Sequence, residues 1–521
     1  MTLSRTRVLR ALAAVVAVAA LGAWSVHTQA PRAPDHVVIM VFDQMRPDYI
    51  DRFDLKHFKR LRASSRHYPE AYVGHLGSQT VVAHLVIPTG LRPGALPWVD
   101  DVFADMDGAI GPAGAPYKPG ELTPEQMWTL LKPIPREQFL PARIQDTLGG
   151  KVFAVGEKDY AAELFGGPHA SAIVTLSAKN VEGRCTPKGI NVPDYIASNA
   201  RFTLECTDAY GTDFKTIYRI DGSRYVPGKD PARQGGDIWT ADAALEIMNR
   251  ETWSGLFLTF GGIDKIGHML GEQDDHGLQS VPSEYHLADA LRIADDQLGR
   301  ILDRLAAKGL SDRTLVVVTA DHGGQRNESY LGNNGSQTCC KFADGKDVIP
   351  PYWLDHLNQL GSLRTAYAAT SVTLWLKDRT PANEQAITRG LKDFSGITEI
   401  YALRRTGSTY RYEQVHSGLE RQPAAFQHWA RQHSAELMAT MAGPAAPDLV
   451  GLLADGFGFG RIGDHGGAQE RVQRIPMIIH VPGERAAKRM TPMRLMDVAA
   501  EITRILGLKP APVAAERRPL S

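Results

Sequence analysis

Cysteine is scarce, with four residues in a chain of 521. That excludes a disulfide scaffold, and none of the four has the CxxC or zinc-finger spacing that cysteine-based metal binding needs. Excess charge of either sign is missing too. Lys plus Arg and Asp plus Glu each number 58, so electrostatics give no case for a nucleic-acid binder. Beyond the N-terminus no apolar run reaches the roughly 20 residues that a membrane-spanning helix requires. No internal repeat or low-complexity tract is present. With 43% hydrophobic and 22% charged residues, the composition excludes a disordered or collagen-like chain.

The N-terminus stands apart. Arg5, Arg7 and Arg10 precede an apolar run of about 14 residues, 11–24, followed by polar residues and prolines. This is the pattern of a secretory signal, with cleavage expected near Ala30; the alternative is an uncleaved N-terminal anchor. Loss of residues 1–30 leaves a net charge of −3. An exported, periplasmic or secreted protein meets an oxidising compartment. Cys185 and Cys206 could close a loop there, and Cys339 and Cys340 are adjacent, but spacing leaves the pairing open.

The remainder alternates short apolar runs with amphipathic stretches. The runs at 37–42, 152–155, 256–260, 315–319, 372–376, 449–453 and 477–481 are apolar on both faces, as strands of a covered parallel sheet are. Helical periodicity marks 285–307 and 491–506. The expectation is an α/β fold: a central, mostly parallel sheet flanked by helices, forming one domain over 31–521. Residues 178–235, 323–365 and 403–446, the last polar and helical in parts, fit the alternation poorly and read as insertions that form a cap.

Ligands of open α/β sheets bind beyond the carboxyl ends of the strands. Here strand after strand ends in acids or histidines: Asp43 after 37–42, Asp264 and His268 after 256–260, Asp321-His322 after 315–319, and His465 after 449–453. Three carboxylates and three imidazoles are zinc-type ligands, enough for two three-ligand sites. Asp264 and His268 share one face if that turn is helical.

These pieces resemble the alkaline phosphatase superfamily, and within it the branch of type I phosphodiesterases, nucleotide pyrophosphatases and Thr-nucleophile alkaline phosphatases. The matching segments are Val-Phe-Asp43-Gln-Met-Arg-Pro-Asp, Thr80-Val-Val-Ala-His84 with Thr89-Gly90, Asp264-Lys-Ile-Gly-His268, Thr319-Ala-Asp321-His322-Gly and Gly463-Asp-His465-Gly. The resemblance implies two Zn2+ sites, and His/Asp sites also take other divalent ions. Asp264, His268 and His465 would hold one; Asp43, Asp321 and His322 would hold the other, beside Thr80 as nucleophile. Ser78 is the fallback nucleophile. Where monoester specialists carry a Lys-x-Arg pair, this chain has Lys158 and Tyr160. Where they carry an Asn it has Asp100-Asp101, Asp101 matching better by spacing. Losing a bidentate Arg and gaining a carboxylate weaken binding of a dianion. The small-molecule substrate expected is therefore a phosphodiester, with alkaline phosphomonoesterase as the alternative. A phosphonate hydrolase or a non-catalytic metal-binding relative stands behind both. No C/S-x-P-x-R motif is present, which argues against a sulfatase.

Overall fold

The computed structural model describes residues 33–177, 184–205, 236–270, 283–327, 329–330, 351–394, 396–459 and 463–513. The signal-like segment lies outside them, as do Cys206, Cys339 and Cys340.

Leaving aside short two-stranded pairings, seven strands of one sheet come first among the described residues. They are β1 (His36–Phe42), β2 (Arg66–His67), β3 (Lys151–Gly156), β4 (Ala172–Leu176), β5 (Pro187–Ile190), β6 (Trp253–Phe260) and β7 (Thr314–Thr319). Five more form a second sheet: β8 (Leu363–Ala368), β9 (Ser371–Leu376), β10 (Ile397–Thr406), β11 (Thr409–Ser417) and β12 (Leu449–Leu453). The chain then returns to the first sheet with β13 (Met477–His480) and β14 (Ala487–Lys488). The order across the nine-stranded sheet is β14-β2-β13-β7-β1-β6-β3-β4-β5. Its middle, β7-β1-β6-β3-β4, is parallel throughout. β13 and β5 flank that block antiparallel.

Residues 37–42 of β1 have no exposed surface, because helices cover both faces of a parallel block. The helices that matter for the site are α1 (Thr80–Thr89), α2 (Asp159–Gly166), α3 (Gly236–Arg250), α4 (Gly262–Leu270), α5 (Ser283–Ala307), α6 (Ala424–Met441) and α7 (Leu495–Leu506). α1 packs against α2 and α7, while α3 and α4 pack against α5. Every residue of α1 is buried, so this helix has no polar face and lies inside the core.

Three of the expected parallel strands differ: the run at 477–481 forms β13, antiparallel to β7, and two lie outside the nine-stranded sheet. The runs 372–376 and 449–453 form β9 and β12 of the second sheet, which is antiparallel and ordered β8-β9-β12-β10-β11. Both are fully buried, so an apolar run reported their burial but not their partner. Residues 403–446 carry regular structure: the β10–β11 hairpin and α6. Cys185 is disulfide-bonded.

Candidate functional site

The parallel block lines up its own carboxyl ends. Phe42 is in register with Phe260, Val41 with Thr319, and Thr259 with Gly156. The next residues in each chain segment are therefore neighbours: Asp43 after β1, Asp264 on α4 after β6, Asp321-His322 after β7 and Lys158 after β3. The Asp43 N–H donates to the Phe260 carbonyl at 2.9 Å, which fixes the first of these ends against the next strand.

Asp264 and His268 lie one turn apart on α4, 3.2 Å from carboxylate Oδ1 to imidazole Nε2. His465 joins them, its Nε2 3.1 Å from that of His268 and 3.5 Å from Asp264 Oδ1. It reaches the site from beyond the second sheet, through the short antiparallel pairing of Asp464 with Gln325. The second group is Asp43, Asp321 and His322. His322 Nε2 is 3.3 Å from Asp43 Oδ1 and 3.5 Å from Asp321 Oδ2. In all three histidines the other ring nitrogen is spent on a backbone carbonyl: His268 on Gly463, His322 on Gly323, His465 on Ser78, at 2.9, 2.9 and 3.0 Å. Such bonds fix the tautomer and leave Nε2 facing inward as a lone-pair donor. All six side chains are buried.

The electrostatics favour cations. One ammonium, Lys158, stands 2.5 Å from Asp43 Oδ2 and 2.5 Å from Asp264 Oδ2. Three buried carboxylates face this ammonium and three imidazoles that are neutral when they offer Nε2 as a lone-pair donor, which leaves the cluster short of positive charge, and burying unpaired charge costs several kcal/mol per ion. Burial, reinforced by Asp264 and Asp321, holds the Asp43 carboxyl well above its usual range. Burial also raises Asp321 to about 6. At Asp264 burial acts the same way, but His268, Lys158 and His465 outweigh it and keep the group ionised. Asp43 Oδ1 and Asp321 Oδ2 are buried and accept no hydrogen bond. Orphaned carboxylate oxygens beside inward-facing imidazoles suit a pair of divalent ions.

Thr80 is the first residue of α1, and its Oγ1 lies 3.4 Å from His322 Nε2. The side chain of His84, one turn on, bonds Thr259 Oγ1 on β6 at 2.9 Å and the Thr80 carbonyl at 3.0 Å. Burial keeps this imidazole neutral, at about 3. It therefore acts as a fixed strut between helix and sheet. Ser78 is directed elsewhere, donating to the Gly467 carbonyl at 3.2 Å. The loop before Thr80 passes so close to residues 98–101 that a Cβ on Gly77 would lie 2.1 Å from the Val99 carbonyl oxygen.

The residues expected to hold substrate are distributed unevenly. Lys158 is among the ligand carboxylates themselves. Tyr160 is half-buried two residues on, with its ring against Gly120. Burial raises its phenol, as do Asp43 and Asp264, against the opposing pull of Lys158. Asp101 accepts a hydrogen bond from the Tyr367 hydroxyl at 3.0 Å, and Asp100 one from Thr373 at 2.8 Å. Burial, with Asp101 alongside, raises Asp100 to about 7. Tyr367 and Thr373 come from β8 and β9, so the second sheet anchors this acidic pair.

Two residues at the site were not foreseen. Asp237 accepts the Gly262 N–H at 3.1 Å and so caps the helix that carries Asp264 and His268. Gln44 contacts ligands of both groups. Gln44 stands inside the Asp43 motif but nothing in that motif marks its role, and Asp237 lies outside every motif.

A family model described as type I phosphodiesterase / nucleotide pyrophosphatase matches residues 37–112 and 230–458. That span holds Asp43, Thr80, Asp101, Asp264, His268, Asp321 and His322, while Lys158, Tyr160 and His465 lie outside it. The alkaline phosphatase PhoK of Sphingomonas sp. is 24% identical over 332 residues, 56% of this chain and 55% of that protein. The aligned part thus spans about half the length of that relative. Among solved structures, the alkaline phosphatase PafA matches with a TM-score of 0.62 at 15% identity, over 94% of this chain and 99% of that one. Murine ectonucleotide pyrophosphatase / phosphodiesterase 5, as an inactive variant in complex with AMP, matches with a TM-score of 0.51 at 13% identity, over 91% and 95%. At such identities the likeness establishes a common fold.

Proposed function

Because the chain belongs to the type I phosphodiesterase / nucleotide pyrophosphatase family, we propose that it is an exported two-zinc phosphoester hydrolase acting through a phospho-threonine intermediate. The observation that carries this reading is the meeting of Asp43, Asp321 and His322 with the close-set Asp264, His268 and His465 beside a threonine at a helix N-terminus. Asp264, His268 and His465 would hold one ion; Asp43, Asp321 and His322 would hold the other, next to Thr80. When bound, such ions supply Lewis acidity that lowers the pKa of a hydroxyl and offsets charge on attacking and leaving oxygens. Zinc is chosen on ligand type, an imidazole–carboxylate set.

The chain's own residues do the rest. Thr80 Oγ1 forms a bond to phosphorus as the bond to the leaving oxygen breaks, and water then cleaves the phospho-threonine ester from the vacated side. The free N–H groups and positive dipole end at the start of α1 favour the phosphoryl oxygens. Lys158 adds the one full positive charge. Diesters are the favoured class: Tyr160 offers a hydrogen bond without charge, and Asp101 adds negative potential that a dianionic monoester feels more than a monoanionic diester. Lys158 and the likeness to two alkaline phosphatases favour the monoester reading instead. Export is supported by the signal-like N-terminus and by the disulfide at Cys185.

The test is kcat/KM of the zinc-loaded protein for bis-p-nitrophenyl phosphate, thymidine monophosphate p-nitrophenyl ester and p-nitrophenyl phosphate. Higher efficiency on the diesters is expected, with Thr80→Ala lowering turnover by at least about a thousandfold. Higher efficiency on the monoester would make it a phosphomonoesterase. No Thr80-dependent turnover on any of the three would overturn the hydrolase reading.

A further inference from the structure

Gln44 directly follows the ligand Asp43 and has φ 63°, the left-handed region that glycine normally supplies. A glutamine held there is strained unless its side chain is used. Its backbone N–H donates to Asp321 Oδ1 at 3.3 Å, and its side-chain Nε2 donates to Asp264 Oδ1 at 3.2 Å. One residue therefore grips a carboxylate from each of the two ligand groups. The side chain is 5% exposed and lies between two glycines from the ligand-bearing segments. A Cβ on Gly267 of α4 would stand 1.5 Å from Gln44 Oε1, and one on Gly324, just past His322, 2.7 Å from its Cγ and Cδ. Both segments leave room for this one side chain.

We propose that Gln44 is a positioning residue that ties the two metal centres together: its side chain orients Asp264 for one ion and its backbone N–H orients Asp321 for the other. This rests on the two-metal reading above. It predicts an asymmetry between the two arms. Gln44→Gly removes the side-chain arm, keeps the N–H, and suits the left-handed backbone.

The test is a zinc titration in competition with a chromophoric chelator, with thermal unfolding of the metal-free proteins alongside. Wild type is expected to bind two ions. In Gln44→Gly one ion should weaken about 10- to 100-fold, the other less than about threefold, while the metal-free protein still unfolds cooperatively. Gln44→Met, which keeps the size but has no group to donate to Asp264, should give the same loss at one ion even if the glycine variant folds poorly. A double-mutant cycle completes the test. Gly267→Ala should lower the unfolding temperature in the wild type and be nearly neutral beside Gln44→Gly. Two ions bound as tightly as in wild type by either folded variant, or equal weakening of both ions, overturns the proposal. A wild type that binds fewer than two ions overturns the two-metal reading and this one with it.

Discussion

At the scale of single residues, charge decides. Asp100 is buried and raised to about 7, against a value near 4 in an unfolded chain. A carboxyl raised in the folded state contributes stability that is complete below pH 4 and lost as pH rises through 7. Asp100→Asn removes that dependence, and its amide can still pair with Thr373. The variant should melt with wild type near pH 4 and be more stable at pH 8 by about 2 to 4 kcal/mol, as denaturant unfolding of the metal-free protein would measure. Tyr160→Arg tests the substrate argument. A bidentate cation should raise kcat/KM for a monoester by about tenfold relative to a diester; an unchanged ratio would show that position 160 does not set the preference. The six ligand candidates were legible in the sequence because acids and histidines stand out against the apolar strands they follow. The roles of Gln44 and Asp237 were not, even though Gln44 sits in the Asp43 motif, because their work is to hold other residues through hydrogen bonds.

At the scale of elements, α1 and the loop before it carry the nucleophile candidate on a frame with almost no slack. Gly77 meets the Val99 carbonyl so closely that Gly77→Ala must part the two loops. A loss of about 1 to 3 kcal/mol is expected, read as a lower unfolding temperature. If Thr80 shifts with its loop, kcat falls as well. The parallel strands β1, β6 and β7 were readable as uninterrupted apolar runs. β9 and β12 have the same signature and lie in a different sheet, since hydrophobicity records what is covered and not which strand covers it. The β10–β11 hairpin was missed for the opposite reason. β11 is largely exposed or half-exposed, so its polar residues looked like an irregular insertion.

At the scale of the whole molecule, metal and fold should be linked. Ions that bind only the folded chain stabilise it by mass action, about 2.7 kcal/mol per ion at a hundredfold excess over Kd. Chelation should therefore lower the unfolding temperature by several degrees and zinc should restore it; an unchanged melt would mean that the buried carboxylates are content with Lys158 alone. The two sheets also divide the labour. Five of the six ligand candidates follow the strands of the parallel block, whereas Asp100 and Asp101 are held by Tyr367 and Thr373 of the antiparallel sheet. Under the proposed role of Asp101, selection acting on β8 and β9 would reshape what the site accepts while the reaction centre stays as it was. The second sheet is where descendants of this chain would diverge in diet before they diverge in chemistry.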